Sequence, residues 1–205
     1  MRKNFVSKFV LAAAAVAFMT GAAFAEFNLR TSVDTAGDYE LEDKNRTWSA
    51  DADISATISG DYLRSIGRLG QYLKIGGGFE VLIPRYYEHN SAKSDDVFWF
   101  LPLYLSIQTN PIQPVPELFF RFNLGVNVLF IDTNWDQSDA TETYTGGLYY
   151  AFVTGWEFPF GLFFDVTYAF YNGSIEYSRR YYAKDDVSYS RLGIGVGYKF
   201  GRPRR

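Results

Sequence analysis

Residues 118–130 read LFFRFNLGVNVLF, and the spacing of their side chains decides the fold. Large apolar residues recur at every second position: Leu118, Phe120, Phe122, Leu124, Val126, Val128 and Phe130. The intervening positions include Arg121, Asn123 and Asn127. Successive side chains of a β-strand point to opposite faces, whereas helical side chains repeat about every 3.6 residues, so the stretch predicts a strand with one apolar face.

The same alternation predicts seven further strands along the chain. They cover residues 26–34, 48–62, 73–83, 97–107, 148–158, 162–170 and 191–200. The connections alternate between long charged ones, at 35–46, 84–96, 132–143 and 176–186, and shorter ones, at 61–70, 109–117 and 159–161. Long loops at one end and short turns at the other are typical of transmembrane barrels, whose smallest common size is eight strands.

The face opposite the apolar side chains is dominated by Gly, Asn, Ser, Ala and Asp. Small side chains suit the lumen of an eight-stranded barrel, which is just wide enough for side chains to fill it. Aromatic residues cluster near both ends of the strands, as they do at the two membrane–water interfaces. We therefore predict an all-β fold, an eight-stranded antiparallel up-and-down transmembrane β-barrel over residues 26–200. A soluble barrel or sandwich is the alternative.

Composition supports a chain with two different surfaces. Aromatic residues make up 19% of the 205 residues, yet the mean hydropathy is −0.14, which is too polar for a bundle of membrane helices. The absence of Cys excludes disulfides, Cys-ligated zinc and iron–sulfur clusters. The formal net charge of −3 argues against a nucleic-acid partner.

The first 25 residues have the pattern of an export signal. Basic residues at positions 2, 3 and 8 precede an uncharged stretch, and Ala23 and Ala25 supply the two small residues that a signal peptidase reads. We predict a cleaved signal peptide over residues 1–25, with a retained transmembrane helix as the alternative.

The last predicted strand ends in Gly195-Val196-Gly197-Tyr198-Lys199-Phe200. With this segment and its eight-strand pattern, the chain resembles the small outer-membrane β-barrels of Gram-negative bacteria, the OmpA-like and OmpX-like group. The resemblance implies a location in the cell outer membrane and contact with its lipid and lipopolysaccharide. It also implies that Gly195, Tyr198 and Phe200 form an assembly signal for the barrel-assembly machinery. The chain departs from the group in a short basic C-terminal tail, residues 201–205, and in Gly193, where a polar residue is usual.

Charged residues on the predicted inner face are balanced in number. The bases are Arg30, Lys74, Arg121, Arg191 and Lys199, and the acids are Asp51, Asp53, Glu80, Glu157 and Asp165. Isolated charges in a narrow lumen would be costly, so we predict a paired network that plugs the pore. The order of the strands predicts an acidic loop-side half and a basic turn-side half. A narrow ion path is the alternative.

No residue pattern in the chain predicts a catalytic, metal or cofactor site. The lone His89 precedes Ser91 by two positions and follows Glu88, which superficially matches the His–Ser pair of barrels that modify lipid A, but the segment is a polar loop. We predict a non-enzymatic barrel that supports envelope integrity or binds a surface ligand through four external loops. A narrow porin-like channel and a lipid A-modifying enzyme are the alternatives.

Overall fold

The computed structural model describes residues 25–35, 37–43, 46–66, 72–89, 92–112, 114–132, 142–177 and 184–201. Almost all of the predicted signal peptide and of the C-terminal tail lies outside these residues, so both stay predictions. Among the described residues, no helix is long and apolar enough to cross a membrane.

The described chain forms eleven strand segments. They are β1 (Ala25–Asp34), β2 (Gly37–Asp43), β3 (Arg46–Ala52), β4 (Ser55–Ser65), β5 (Leu73–Leu82), β6 (Arg85–His89), β7 (Ala92–Thr109), β8 (Leu118–Asp132), β9 (Glu142–Glu157), β10 (Leu162–Tyr177) and β11 (Lys184–Phe200). Three segments continue a neighbouring one after a short interruption, since β2 follows β1, β3 precedes β4 and β6 follows β5. The eleven segments therefore make eight barrel strands.

Backbone pairing closes these strands into a ring. The antiparallel order is β1, β4, β5, β7, β8, β9, β10 and β11, and β11 pairs back with β1 from Phe27↔Phe200 to Asp34↔Gly193. Above this ring, β2 pairs with β11 and β3, and β6 pairs with β3 and β7. The prediction of a closed eight-stranded antiparallel barrel is confirmed.

The strands extend further toward the loop end than the apolar alternation predicts. The predicted connection at 35–46 contains β2, and the one at 84–96 contains β6 and the start of β7. Strands β7, β9, β10 and β11 have 16 to 18 residues. At about 3.3 Å per residue and a tilt near 45°, they rise about 37–42 Å, beyond an apolar band of about 25 Å. Backbone pairing needs no apolar face, so the wall continues after the apolar pattern ends.

The outer face of the wall is apolar where the inner face is polar. Leu105 is 74% exposed, Ile194 64% and Phe152 56%, whereas Ser106 next to Leu105 is 1% exposed. Large exposed apolar surfaces on this scale require a non-aqueous environment. Rings mark both ends of the band: Trp99 stacks on Phe130 toward the loops with centroids 3.9 Å apart, and Tyr198 meets Phe200 near the turns at 4.9 Å.

Candidate functional site in the lumen

The lumen holds a network of buried ionisable side chains. In the described part of the chain it contains six acids and five bases, each at most 8% exposed: Glu26, Asp34, Asp61, Glu80, Glu157, Asp165, Arg30, Lys74, Arg121, Arg191 and Lys199. Alternation along the strands points them inward, and their contacts divide them into three groups between the loop end and the turn end.

The loop-side group is centred on Arg191. Its guanidinium donates hydrogen bonds to Asp34 and, at 2.7 Å, to Glu80. Its Nε also donates to the hydroxyl of Tyr171 at 2.8 Å, and that hydroxyl donates to Glu80. The side chains of Arg191, Asp34 and Glu80 are all 0% exposed. Thr57 donates a further hydrogen bond to Asp34. One guanidinium thus joins carboxylates from β1 and β5 to β11.

The central group contains two separate ion pairs. Arg30 lies 3.0 Å from Asp165 and donates to the Thr167 hydroxyl at 2.7 Å. Arg121 donates to Asp61 at 2.5 Å, and Tyr104 donates to the other oxygen of the same carboxylate at 2.7 Å. Each pair joins strands that are not neighbours, so these contacts brace the barrel across its interior.

The turn-side group closes the opposite end. Lys74 donates to Glu26 at 2.7 Å, and Lys199 lies 3.7 Å from the same carboxylate. Lys199 also donates to Glu157, and its ammonium lies 5.9 Å from the ring centroid of Phe119. The first and last barrel strands are therefore joined both by backbone pairing and by charge.

Glycines on β11 leave the space that the charged side chains occupy. A Cβ on Gly195 would lie 2.7 Å from Nε of Arg30 and 2.9 Å from a carboxylate oxygen of Asp165. A Cβ on Gly193 would lie 2.6 Å from a carboxylate oxygen of Asp34. Real Cβ contacts are not this short, so any larger residue at either position would displace an ion pair.

A cluster of rings fills the lumen toward the loop end. Neighbouring ring centroids lie 4.7 to 5.6 Å apart in a chain that connects Tyr39, Phe98, Tyr189, Tyr171 and Tyr149. Each of these rings is at most 2% exposed. The lumen is thus occupied by aromatic packing above Arg191 and by ion pairs below it.

The structure separates the predicted network residues into two sets. Eight of them are buried in the lumen: Arg30, Lys74, Glu80, Arg121, Glu157, Asp165, Arg191 and Lys199. The other two are not, because Asp51 is exposed on the outer face and Asp53 is only half-buried. The strand is interrupted at residues 53–54, between β3 and β4, and the inward-facing positions change from even to odd numbers across this interruption, so the predicted placement of Asp51 and Asp53 is corrected.

Three network residues escaped prediction from the sequence. Glu26 is the second residue of β1 and Asp34 its last, and Asp61 lies where the predicted strand 48–62 overlaps the predicted connection 61–70; the structure places Asp61 inside β4. Asp61 has the same parity as the buried Thr57 and Ser59, and this parity is a signal that would have found it.

These acids also change the predicted charge distribution. The prediction of a basic half near the turns is corrected. Counting the central Arg121–Asp61 pair with the turn-side group, each of the three bases there has an acidic partner: Lys74 with Glu26, Arg121 with Asp61 and Lys199 with Glu157. On the loop side, two carboxylates surround Arg191.

The predicted assembly residues lie on two different faces of β11. Tyr198 and Phe200 are 43% and 47% exposed on the outer face, whereas Gly195 is buried and points inward. Their role in assembly stays a prediction. The backbone of His89 ends β6, but its side chain and Ser91 lie outside the described part.

A closed antiparallel barrel with an apolar outer wall and a charged, filled lumen defines the class of small outer-membrane β-barrel proteins. No protein family and no curated protein sequence matches the chain. Solved structures show the same fold. The solid-state NMR structure of the outer membrane protein AlkL has a TM-score of 0.52 at 18% identity, covering 91% of this chain and 95% of AlkL.

Two further solved structures agree on the fold. Neisserial surface protein A has a TM-score of 0.51 at 14% identity, with 85% of this chain and 97% of that chain covered. Ail, the attachment invasion locus protein of Yersinia pestis, has a TM-score of 0.50 at 11% identity, with 86% and 99% covered. The chain is an outer-membrane barrel by fold, and identities this low carry no further property.

Proposed function

We propose that the protein is a closed, non-enzymatic barrel that acts at the cell surface through its external strands and loops. The burial of the lumen carries this proposal. The side chains of Arg191, Asp34 and Glu80 are 0% exposed, and so are the rings of Phe98 and Phe100 above them. A water-filled path would leave accessible side chains at every level of the barrel.

The cost of opening the loop-side group supports the same proposal. Water and ions would have to separate Arg191 from carboxylates that the lumen holds away from solvent. Separating one buried charge from its partner costs about 3–5 kcal/mol. At about 1.4 kcal/mol per factor of ten, an open state with that cost is populated at most about 1% of the time.

The outer wall beyond the apolar band supports a role at the surface. Its exposed side chains on β2, β3 and β11 include several acids: Asp38, Glu40, Glu42, Asp51 and Asp186. Ail has been solved with sucrose octasulfate, a heparin analogue. A polysulfated ligand would be repelled by an acidic wall, so we propose a neutral or cationic surface ligand for this chain.

Two partner predictions belong to the same proposal. The barrel-assembly machinery would recognise the C-terminal strand through Tyr198 and Phe200, whose rings are exposed to a partner. Outer-membrane phospholipid and lipopolysaccharide would surround the apolar band.

Conductance across a planar bilayer tests the closed lumen. The full chain, refolded and inserted, should show no steady openings above those of the bare bilayer, while a known porin prepared in the same way conducts. Steady, reproducible openings would favour the narrow channel instead.

A gene deletion tests the role at the surface. Deletion should weaken the outer-membrane barrier to detergents or reduce cell attachment, and leave the acyl count of lipid A unchanged. A chain carrying Glu40→Gln, Glu42→Gln and Asp51→Asn should restore the barrier but not attachment. A changed lipid A mass would support enzymatic activity and contradict the proposal.

A further inference from the structure

Two amide side chains in the lumen, Asn28 on β1 and Gln108 on β7, form a layer between the central group and the turn-side group. Each is paired on its two neighbouring strands with one residue from each group. The partners are Asp61 and Lys199 for Asn28, and Arg121 and Lys74 for Gln108. Both amides are 0% exposed, so the layer lies inside the barrel.

This amide layer contains buried polar atoms that have no hydrogen-bond partner in the described part of the chain. They are Nδ2 and Oδ1 of Asn28 and Nε2 of Gln108. Oε1 of Gln108 accepts two hydrogen bonds from the guanidinium of Arg121, at 2.8 and 3.2 Å, so exchanging the two ends of this amide would break both. Nearly all buried polar groups in proteins pair with protein or with ordered water. The unpaired donors and acceptor therefore indicate water at this layer.

The polar lining continues from the amide layer to the turn end. Asn110 lies two residues beyond Gln108 and is 5% exposed, and its Oδ1 is also unpaired among the residues described. Its Nδ2 donates to two backbone carbonyls at 2.9 and 3.2 Å. Glu26 and Lys74, which close this end, are each 8% exposed. Exposure thus rises from the amide layer toward the turns, so water can enter the lumen from that end.

The loop side of the lumen offers no such entry. Two further unpaired atoms of the described chain lie in that half, Oε2 of Glu80 and the hydroxyl of Tyr149. Glu80, Tyr149, Tyr171 and Arg191 are at most 1% exposed. No accessible side chain among these four connects the amide layer with solvent at the loop end.

We propose that the turn-side half of the lumen binds ordered water, which enters from the periplasmic end and reaches no further than the central group. A bound water molecule needs two to four polar partners, and Asn28 supplies a donor and an acceptor while Gln108 supplies a second donor. An ion of either sign is a poorer ligand, because the charges on both sides of the layer are already paired. The pairs are Lys74 with Glu26, Lys199 with Glu157 and Arg121 with Asp61. The closed loop side rests on the proposed function, whereas the water site does not.

A crystal structure of the full chain that resolves ordered water tests the site. Water should lie within about 2.7–3.2 Å of Nδ2 of Asn28 and of Nε2 of Gln108. Crystals grown in bromide distinguish water from an anion, because bromide scatters anomalously and water does not. An anomalous peak at the amide layer, or amides that pair with protein groups and leave no water, would overturn the proposal.

Thiol modification tests the direction of entry. Gln108→Cys and Ala169→Cys are matched, because each gives the chain a single thiol at a position that is 0% exposed, with Arg121 or Arg191 as a strand partner. Methyl methanethiosulfonate, a small uncharged reagent, should modify position 108 at least about tenfold faster, a difference of about 1.4 kcal/mol in the cost of exposing the thiol. If Gln108→Cys gives no heat-modifiable barrel, Asn28→Cys replaces it. Equal rates, or faster modification at position 169, would overturn entry from the turn end.

Discussion

Replacing Arg191 by Met tests how strongly the lumen network stabilises the barrel. The substitution keeps an unbranched side chain of similar length but removes the charge that Asp34 and Glu80 share. Both carboxylates are 0% exposed, so neither can be solvated in place. Removing one partner of a buried ion pair costs about 3–5 kcal/mol, and here one substitution strands two carboxylates.

Urea unfolding in detergent micelles, followed by tryptophan fluorescence, measures the loss in the free energy of unfolding. With a slope near the upper end of about 1–3 kcal/mol per M, the midpoint should fall by about 1–2 M. The triple variant Arg191→Met, Asp34→Asn, Glu80→Gln should recover most of the loss, because no unpaired charge remains. Asp51→Asn removes an exposed acid and should change stability by less than about 0.5 kcal/mol. A midpoint for Arg191→Met equal to that of the natural chain would refute the reasoning, and so would a triple variant as unstable as the single one.

Three further substitutions test other parts of the account. Gly195→Leu places a side chain against the guanidinium of Arg30 and should lower the free energy of unfolding by about 1–3 kcal/mol in the same urea titration. Unchanged stability would contradict the close approach of Arg30 to the backbone of Gly195. Gly161→Ala, in the turn after β9, forces φ of +98° on a residue with a Cβ and should cost about 1–2 kcal/mol, with an unshifted midpoint as the contrary result. Phe200→Ala should reduce the heat-modifiable band in outer-membrane fractions, and an undiminished band would remove its assembly role.

The period-two pattern predicts most of the fold, because alternate residues of a barrel strand face lipid, which favours apolar side chains, and the lumen, which favours polar ones. Residues 118–130 show this directly, since Leu124 and Val126 are exposed to lipid while Asn123 and Asn127 are buried inside. The same rule found Arg30 and Arg191 without any knowledge of their partners.

The pattern fails where the backbone departs from a regular ladder. The interruption at 53–54 inverts the faces of β3 relative to β4, so Asp51 points outward although its parity predicts the lumen. Asp34 sits beside another interruption, and its partner Arg191 is 157 positions away. The sequence around Asp34 does not identify Arg191 as its partner, because the contact forms only after β11 pairs with β1.

Strand length was underestimated for a different reason. In β2, beyond the apolar band, the exposed Asp38 and Glu40 alternate with Tyr39, which packs inside the barrel, so apolar residues no longer mark the outer face. The charged composition of residues 35–46 and 84–96 therefore predicts loops where paired strands continue.

A spin label at Leu105 tests the central claim that the barrel's apolar face meets lipid. The chain contains no Cys, so Leu105→Cys gives a unique attachment site, and Ser49→Cys on the exposed external wall gives an aqueous reference. In lipid vesicles, the label at Leu105 should collide frequently with oxygen and rarely with a water-soluble nickel chelate, the reverse of the label at Ser49. Frequent collision of the Leu105 label with the nickel chelate would place that face in water and contradict the account.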